Sequence, residues 1–228
     1  FADILRYNRT NKTWYFYNGK LWTADIEGMY TSRLAKQLYE NLMIFGLSIP
    51  DETQRNSFIK HVSSLGTRRS RQTMIDDARD RNFIETKDFD RDVYLFNCQN
   101  GTYDLKNNYF RNRIYYYGCS RKPNAKDLIS KISNVVYDEN AESKDFESFI
   151  KQIFQGDMSL VNYLQRVLGY SLSGDTTAEQ FWILYGKTTR NGKGTLCSTL
   201  EHLFGENAGA EPGYSATANP ETFAAKQN

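Results

Sequence analysis

The chain has 228 residues, a net charge of +2 and 39% hydrophobic residues, enough to bury a core without disulfide or metal staples. The balanced charge excludes binding of nucleic acid by bulk electrostatics, so any such surface must come from local clustering. Cys98, Cys119 and Cys197 are widely spaced with no C-x-x-C pair, which argues against a disulfide framework or zinc site and fits a reducing interior. No run of 18 apolar residues is present to cross a membrane, and no charged-then-apolar leader opens the chain. With Phe1 rather than Met at one end and a Gly/Ala/Pro-rich tail at the other, the chain reads as a piece of a longer protein.

In chain order, residues 3–24 alternate apolar and polar around Asn18-Gly19, which predicts a type I′ hairpin between Trp14–Tyr17 and Leu21-Trp22. Residues 31–47 switch to helical spacing, with Leu34, Leu38, Leu42 and Phe45 on one face. After Pro50, Asp51 is placed to cap a second helix that buries Phe58, Ile59 and Val62, and a third helix is expected over 68–80. Residues 93–111 read as an antiparallel meander: Val93–Phe96, a turn at Asn100-Gly101, Thr102–Leu105, a turn at Asn107-Asn108, then Tyr109-Phe110. Helices follow at about 145–154, with Phe146, Phe149, Ile150 and Ile153 on one face, and at 158–172, with Val161, Leu164 and Leu168. Ser173–Thr177 is polar and marks the expected domain boundary.

Phe181–Tyr185 is an uninterrupted apolar run, as expected of a strand buried on both faces of a parallel sheet. It leads into Gly186-Lys187-Thr188-Thr189-Arg190-Asn191-Gly192-Lys193-Gly194-Thr195, after which Leu196, Leu200 and Leu203 recur at helical spacing and Gly205 stands where a helix ends. Strand, Gly-rich loop and helix, in that order, make a phosphate cradle. Backbone N–H groups and a helix N-terminus present partial positive charge, glycines permit close approach, and Lys193 supplies a point charge to the β/γ-phosphates of ATP. Two departures from the common pattern stand out. Five residues rather than four separate Gly186 from the Gly192-Lys193 pair, and Gly194 occupies the place of the usual magnesium-holding hydroxyl, leaving Thr195 as the candidate Mg2+ ligand.

The neighbourhood of the loop resembles a known family. Tyr163-Leu-Gln-Arg-Val-Leu-Gly-Tyr170, Leu172-Ser-Gly-Asp-Thr176, Phe181–Tyr185 and Asn191-Gly-Lys-Gly-Thr195 are similar to the superfamily 3 helicases of phage and plasmid primase–helicase proteins. Asn100-Gly-Thr-Tyr-Asp-Leu105 and Trp14–Trp22 resemble hairpins of the domain that precedes such motors. The resemblance implies a hexameric ring of the AAA+ type that hydrolyses ATP to move on single-stranded DNA, a possible primase domain in the same chain, and the cytoplasm of a bacterial host carrying a phage or prophage. Residues 206–228 contain no apolar strand ending in an acidic pair, so the chain as given is expected to hold phosphates without turning them over.

Residues 105–133 carry seven basic side chains (Lys106, Arg111, Arg113, Arg121, Lys122, Lys126 and Lys131) against one acid, Asp127, interleaved with tyrosines. Cations for the backbone and aromatics for stacking suit single-stranded DNA. A solvated basic hairpin is the alternative, with Arg111, Arg113, Arg121 and Lys122 the residues that distinguish the two. Arg68, Arg69 and Arg71 are expected to pair with Asp76, Asp77 and Asp80 along one helix. Asp88, Asp90 and Asp92 read as a polar turn, and His61 and His202 have no partner His or Cys nearby in sequence.

The expected architecture is therefore an α+β domain over 1–173 followed, over 174–228, by the first strand, loop and helix of a P-loop NTPase. The leading function is part of an ATP-dependent replication helicase. The alternative is a non-enzymatic oligomerisation or DNA-gripping domain, whereas a small-molecule kinase would need a lid and an acceptor site that the sequence does not display.

Overall fold

Two contact-dense units account for the architecture, Phe1–Asn18 with Trp22–Phe89 in one and Gly19–Leu21 with Asp90–Asn228 in the other. The computed structural model describes all residues except 2, 108, 112–113, 117, 187–189, 206–212 and 215–228, and for the rest of 108–117 it describes the backbone alone.

In the first unit, β1 (Leu5–Asn8), β2 (Thr13–Tyr17), β3 (Trp22–Ala24) and β4 (Phe83–Ile84) form a sheet in the order β3-β2-β1-β4, with β4 parallel to β1. Aromatic pairs set its register. Tyr7 lies opposite Trp14 with ring centroids 5.2 Å apart, and Phe16 stacks at 3.9 Å on Tyr30 of α1 (Met29–Leu47). The expected hairpin forms, but its tip is not a two-residue turn. Tyr17 pairs with Trp22, and of Asn18 and Gly19 only Gly19 has positive φ (+99°), whereas a type I′ turn needs both. The tip is drawn out because Leu21 is fully buried and the Lys20 carbonyl accepts from Asn97 Nδ2.

Each α-helix start in this unit has a side-chain acceptor. Asp25 accepts from the amides of Tyr30 and Thr31 at the head of α1. Asp51 accepts from Gln54 N at 2.7 Å at the head of α2 (Glu52–Leu65), and Thr67 from Ser70 N at the head of α3 (Arg68–Asp77). Leu34 is buried, as the spacing predicts, but Phe45 is 59% exposed. The reason is Gly46: a Cβ there would lie 2.9 Å from the Phe58 ring, so α2 closes on the glycine and leaves Phe45 at the rim. The expected Arg–Asp pairs of α3 are replaced as well. Asp76 bonds Arg79 at 2.5 Å, and Asp80 faces Arg9.

The second unit contains β5 (Leu95–Cys98), β6 (Gly101–Asp104) and β9 (Cys119–Arg121) as one antiparallel sheet in the order β5-β6-β9. Among the described residues, strands β7 (Tyr109–Arg111) and β8 (Ile114–Tyr116) pair only with each other, so the expected continuous meander is interrupted and β9 takes the edge of β6. Glycines admit that edge. At Gly101, which sits in β6 rather than in the turn, a Cβ would lie 2.8 Å from Arg121 O, and Gly118, at φ +83°, lies against Tyr103 and Asp104 O. Asp92 accepts from Tyr94 N, the local turn role expected of it, whereas Asp90 accepts from Ser130 N and so ties the turn to a distant segment.

Helices α4 (Lys144–Ile153), α5 (Met158–Leu172) and α6 (Lys193–Phe204) complete the unit, which is thus mixed α+β. Between α5 and α6, Gly174 N donates to Val93 O and Tyr94 Oη to Asp175, so Ser173–Thr177 is held by hydrogen bonds. The run Phe181–Tyr185 is not the buried strand its composition predicts. It pairs with no described strand, and Phe181, Ile183 and Tyr185 are 82%, 77% and 81% exposed. A strand is buried by neighbours on both edges and layers on both faces, and the described strands here are all engaged in other, mainly antiparallel pairings. No helix among the described residues is long and apolar enough to cross a membrane.

Burial separates the cysteines. Cys98, 3% exposed, has its thiol pushed up to about 11, whereas Cys197 is exposed. Because the thiolate is the reactive form, a disulfide reagent at pH 8 is expected to label Cys197 in the native protein and Cys98 only after unfolding. Equal native labelling of both, located by peptide mass, would contradict this burial.

Candidate functional site

Three helices build the site from below. The apolar stripe of α4 (Phe146, Phe149, Ile150, Ile153) and that of α5 (Val161, Leu164, Leu168) close on Leu196 and Leu200 of α6. Ile150, Leu164 and Leu196 are the buried centre, at 5%, 8% and 2% exposure, and each such side chain contributes about 1.5–3 kcal/mol on burial. Asp157 starts α5 by accepting from Ser159 N at 2.9 Å and Leu160 N. This core fixes where α6 begins, and with it the Gly-rich loop.

The loop's two outer glycines sit in different surroundings. At Gly186 a Cβ would overlap Asn191 Nδ2, the end of a side chain that can move aside. Gly192 has φ +84° and opens α6, and a Cβ there would meet Ile153 Cγ2 at 2.8 Å and Phe149 Cε2 at 3.0 Å. The loop is therefore seated on α4. Arg190 also adopts positive φ (+58°), a conformation uncommon for a residue with a Cβ.

Among the described residues, the start of α6 has no side-chain cap, and its first turn has no acidic residue. The first intrahelical bond runs from Leu196 N to Gly192 O, which leaves the amides of Lys193, Gly194 and Thr195 without a helical acceptor. Aligned peptide dipoles add roughly half a positive charge at that end. Lys193 Nζ donates to Asn191 Oδ1 at 2.6 Å, which holds the ammonium over the loop. These groups, with Phe149, Gln152 and Ile153 of α4 and Gln155 just beyond it, line an open cleft of about 1060 Å³. Thr195 is exposed on the first turn of α6. Lys187, Thr188 and Thr189 lie outside the described residues. Among the described residues no cluster of three or more His, Cys, Asp or Glu side chains is placed to hold a metal ion.

The basic stretch is less free than its charge count suggests. Arg121 donates to Asp127 Oδ2 at 2.7 Å and lies 4.0 Å from Asp104 Oδ2. Lys106 faces Asp92 and sits 4.3 Å from the centre of the Tyr94 ring. Lys122 is exposed, Arg111 lies on β7, where only the backbone is described, and Arg113 is outside the described residues. Sequence reasoning missed the α4 side of the cleft and the Asn191–Lys193 contact. The apolar stripe of α4 was visible, but nothing local says that its partner is the loop.

Residues 1–155 match the family described as D5 N terminal like. The chain is also similar to a "putative helicase" of Acanthamoeba polyphaga mimivirus, 28% identical over 219 residues, a match that takes in 86% of this chain and 21% of the viral protein. The chain thus spans about a fifth of that relative's length.

The seating of the loop is testable by two neighbouring alanines. Gly192→Ala forces a Cβ into the left-handed region and against Ile153 and Phe149, at a cost of about 1–2 kcal/mol for the backbone alone. Gly194→Ala meets nothing within 4 Å inside α6 and is expected to be neutral or stabilising by about 0.5–1 kcal/mol. Urea unfolding checks both, and equal midpoints for the two variants would show that the loop is not held on α4.

Proposed function

The chain belongs to the D5 N terminal like family, which its residues 1–155 match, and from that premise we propose that it is part of an ATP-driven helicase of the superfamily 3 type. In this reading, residues 186–195 hold the nucleotide phosphates. The observation that carries it is the start of α6, without a described side-chain cap, beside the Lys193 ammonium and behind Gly192, where no side chain fits. An anion seated there meets three amides without helical acceptors, the positive end of the helix dipole and one full charge.

Each residue has a distinct task. Gly186 and Gly192 let the backbone approach the phosphates. Lys193 reaches the β/γ-phosphates, and Asn191 positions its ammonium until they arrive. Thr195 offers a hydroxyl at the site where a magnesium ion would join the phosphates. When bound, ATP and Mg2+ supply the phosphoryl group and its charge neutralisation, respectively. Single-stranded DNA as the track, a ring of six copies, a primase domain elsewhere in the chain and a cytoplasmic setting belong to the same proposal. The similarity to a helicase-named viral protein supports it.

Lys193→Ala is expected to weaken ATP binding about tenfold to a hundredfold, the worth of a charge-assisted hydrogen bond removed from a phosphate site. Calorimetric titration of ATP into the parent and variant chains reads this directly. Equal affinity in the two would overturn the assignment of the loop.

A further inference from the structure

The first unit has a second concave surface that plays no part in the loop site. The turn after β1, the Asp25–Gly28 turn and one side of α3 enclose a cleft of about 340 Å³. Four cations line it, Lys12, Arg68, Arg71 and Arg79, together with the carboxylates of Asp25 and Glu27. Two acids against four cations leave the lining with a net positive charge. Both Asp25 oxygens are already taken, Oδ1 by Tyr30 N at 3.1 Å and Oδ2 by Thr31 N at 2.8 Å and Thr31 Oγ1 at 2.7 Å. Glu27 is exposed.

The cations differ in how far they are committed. Arg79 is paired with Asp76 at 2.5 Å and lies over the Tyr7 ring. Arg71 donates to Gly66 O, which leaves the rest of its five-donor fork available. Lys12 and Arg68 make no hydrogen bond, ion pair or ring contact among the described residues. Trp14 lines the same cleft. It is 8% exposed, and its buried indole N–H has no acceptor among the described residues, an exception that calls for one.

We propose that this cleft is a phosphate-binding site, filled by a phosphate of a nucleic-acid backbone or by a free phosphate. Arg68 and Lys12 are the principal contacts. Arg71 adds a second guanidinium fork, whose planar geometry matches phosphate oxygens, and the Trp14 side chain forms part of the wall. All its residues lie in the first unit, and none belongs to the loop at 186–195.

The indole resonances of the 15N-labelled protein provide the test, with Trp14 assigned through Trp14→Phe. Titration with inorganic phosphate and, separately, with a thymidine oligonucleotide at low salt is expected to move the Trp14 resonance while that of Trp22, 1% exposed, stays fixed as a reporter of folding. The double variant Lys12→Gln/Arg68→Gln is expected to weaken that response about tenfold or more, Arg68→Gln alone by less, and Lys193→Ala not at all. An oligonucleotide midpoint far below that of inorganic phosphate assigns the site to a strand, with a salt dependence that flattens in the double variant. Equal midpoints assign it to a free phosphate. No movement of Trp14 with either ligand, or an unchanged midpoint in the double variant, would overturn the site.

Discussion

The contact of Leu196 with Ile150 and Leu164 is the constraint on which the loop geometry depends. Leu196 is the fourth residue of α6, so its burial fixes both the azimuth and the height of the helix start. Once α6 is fixed, the backbone must reverse at Gly192 within van der Waals range of Ile153 and Phe149, and only a residue without Cβ fits. The charge-bearing part of the site, Lys193 and the free amides behind it, is in this way oriented by apolar packing one turn below.

The other end of α6 is tied by a polar network. Ser133 Oγ donates to Leu203 O, and Gly205 closes the helix at φ +78°. Ser133 N in turn donates to the carbonyl of Asn97. Asn97 is fully buried, yet every polar group it carries is paired. Its N–H donates to Tyr214 Oη, its Nδ2 to the carbonyls of Lys20 and Lys131, and its Oδ1 accepts from Thr102 Oγ1. Satisfaction at every position is what makes a buried amide tolerable. Phe96 stacks on Tyr214 at 4.8 Å and meets Phe204 edge-on, so the sheet grips the C-terminal turn of α6 while α4 and α5 grip its start.

What the sequence made legible is what depends on neighbours along the chain. Asp51 announces a helix start through a bond spanning three residues, and the stripes of α4 and α5 follow from a period of 3.6. Strand partners were not legible. That β9 joins β6 turns on Gly101 giving way to the Arg121 carbonyl and Gly118 to that of Asp104, neither of them a neighbour along the chain. The exposure of Phe181–Tyr185 was hidden for the same reason, since an apolar run states a need for neighbours without supplying them. In the loop, the glycines were readable as glycines, but the Ile153 and Phe149 contacts that make Gly192 necessary were not. Charge counting misled most where partners are remote: Arg121 is spent on Asp104 and Asp127, while Lys12 and Arg68, far apart in sequence, line one cleft.

The central claim is that packing aims the first-turn amides of α6 and the Lys193 ammonium at a phosphate. Residue-resolved amide hydrogen exchange with ATP, and in parallel with adenosine, tests it most directly. The account predicts slowed exchange at Lys193, Gly194 and Thr195 with ATP and none with adenosine, because the contacts are to phosphate and not to the base or sugar. Unchanged exchange at those three amides with ATP, or equal slowing by adenosine, would contradict it.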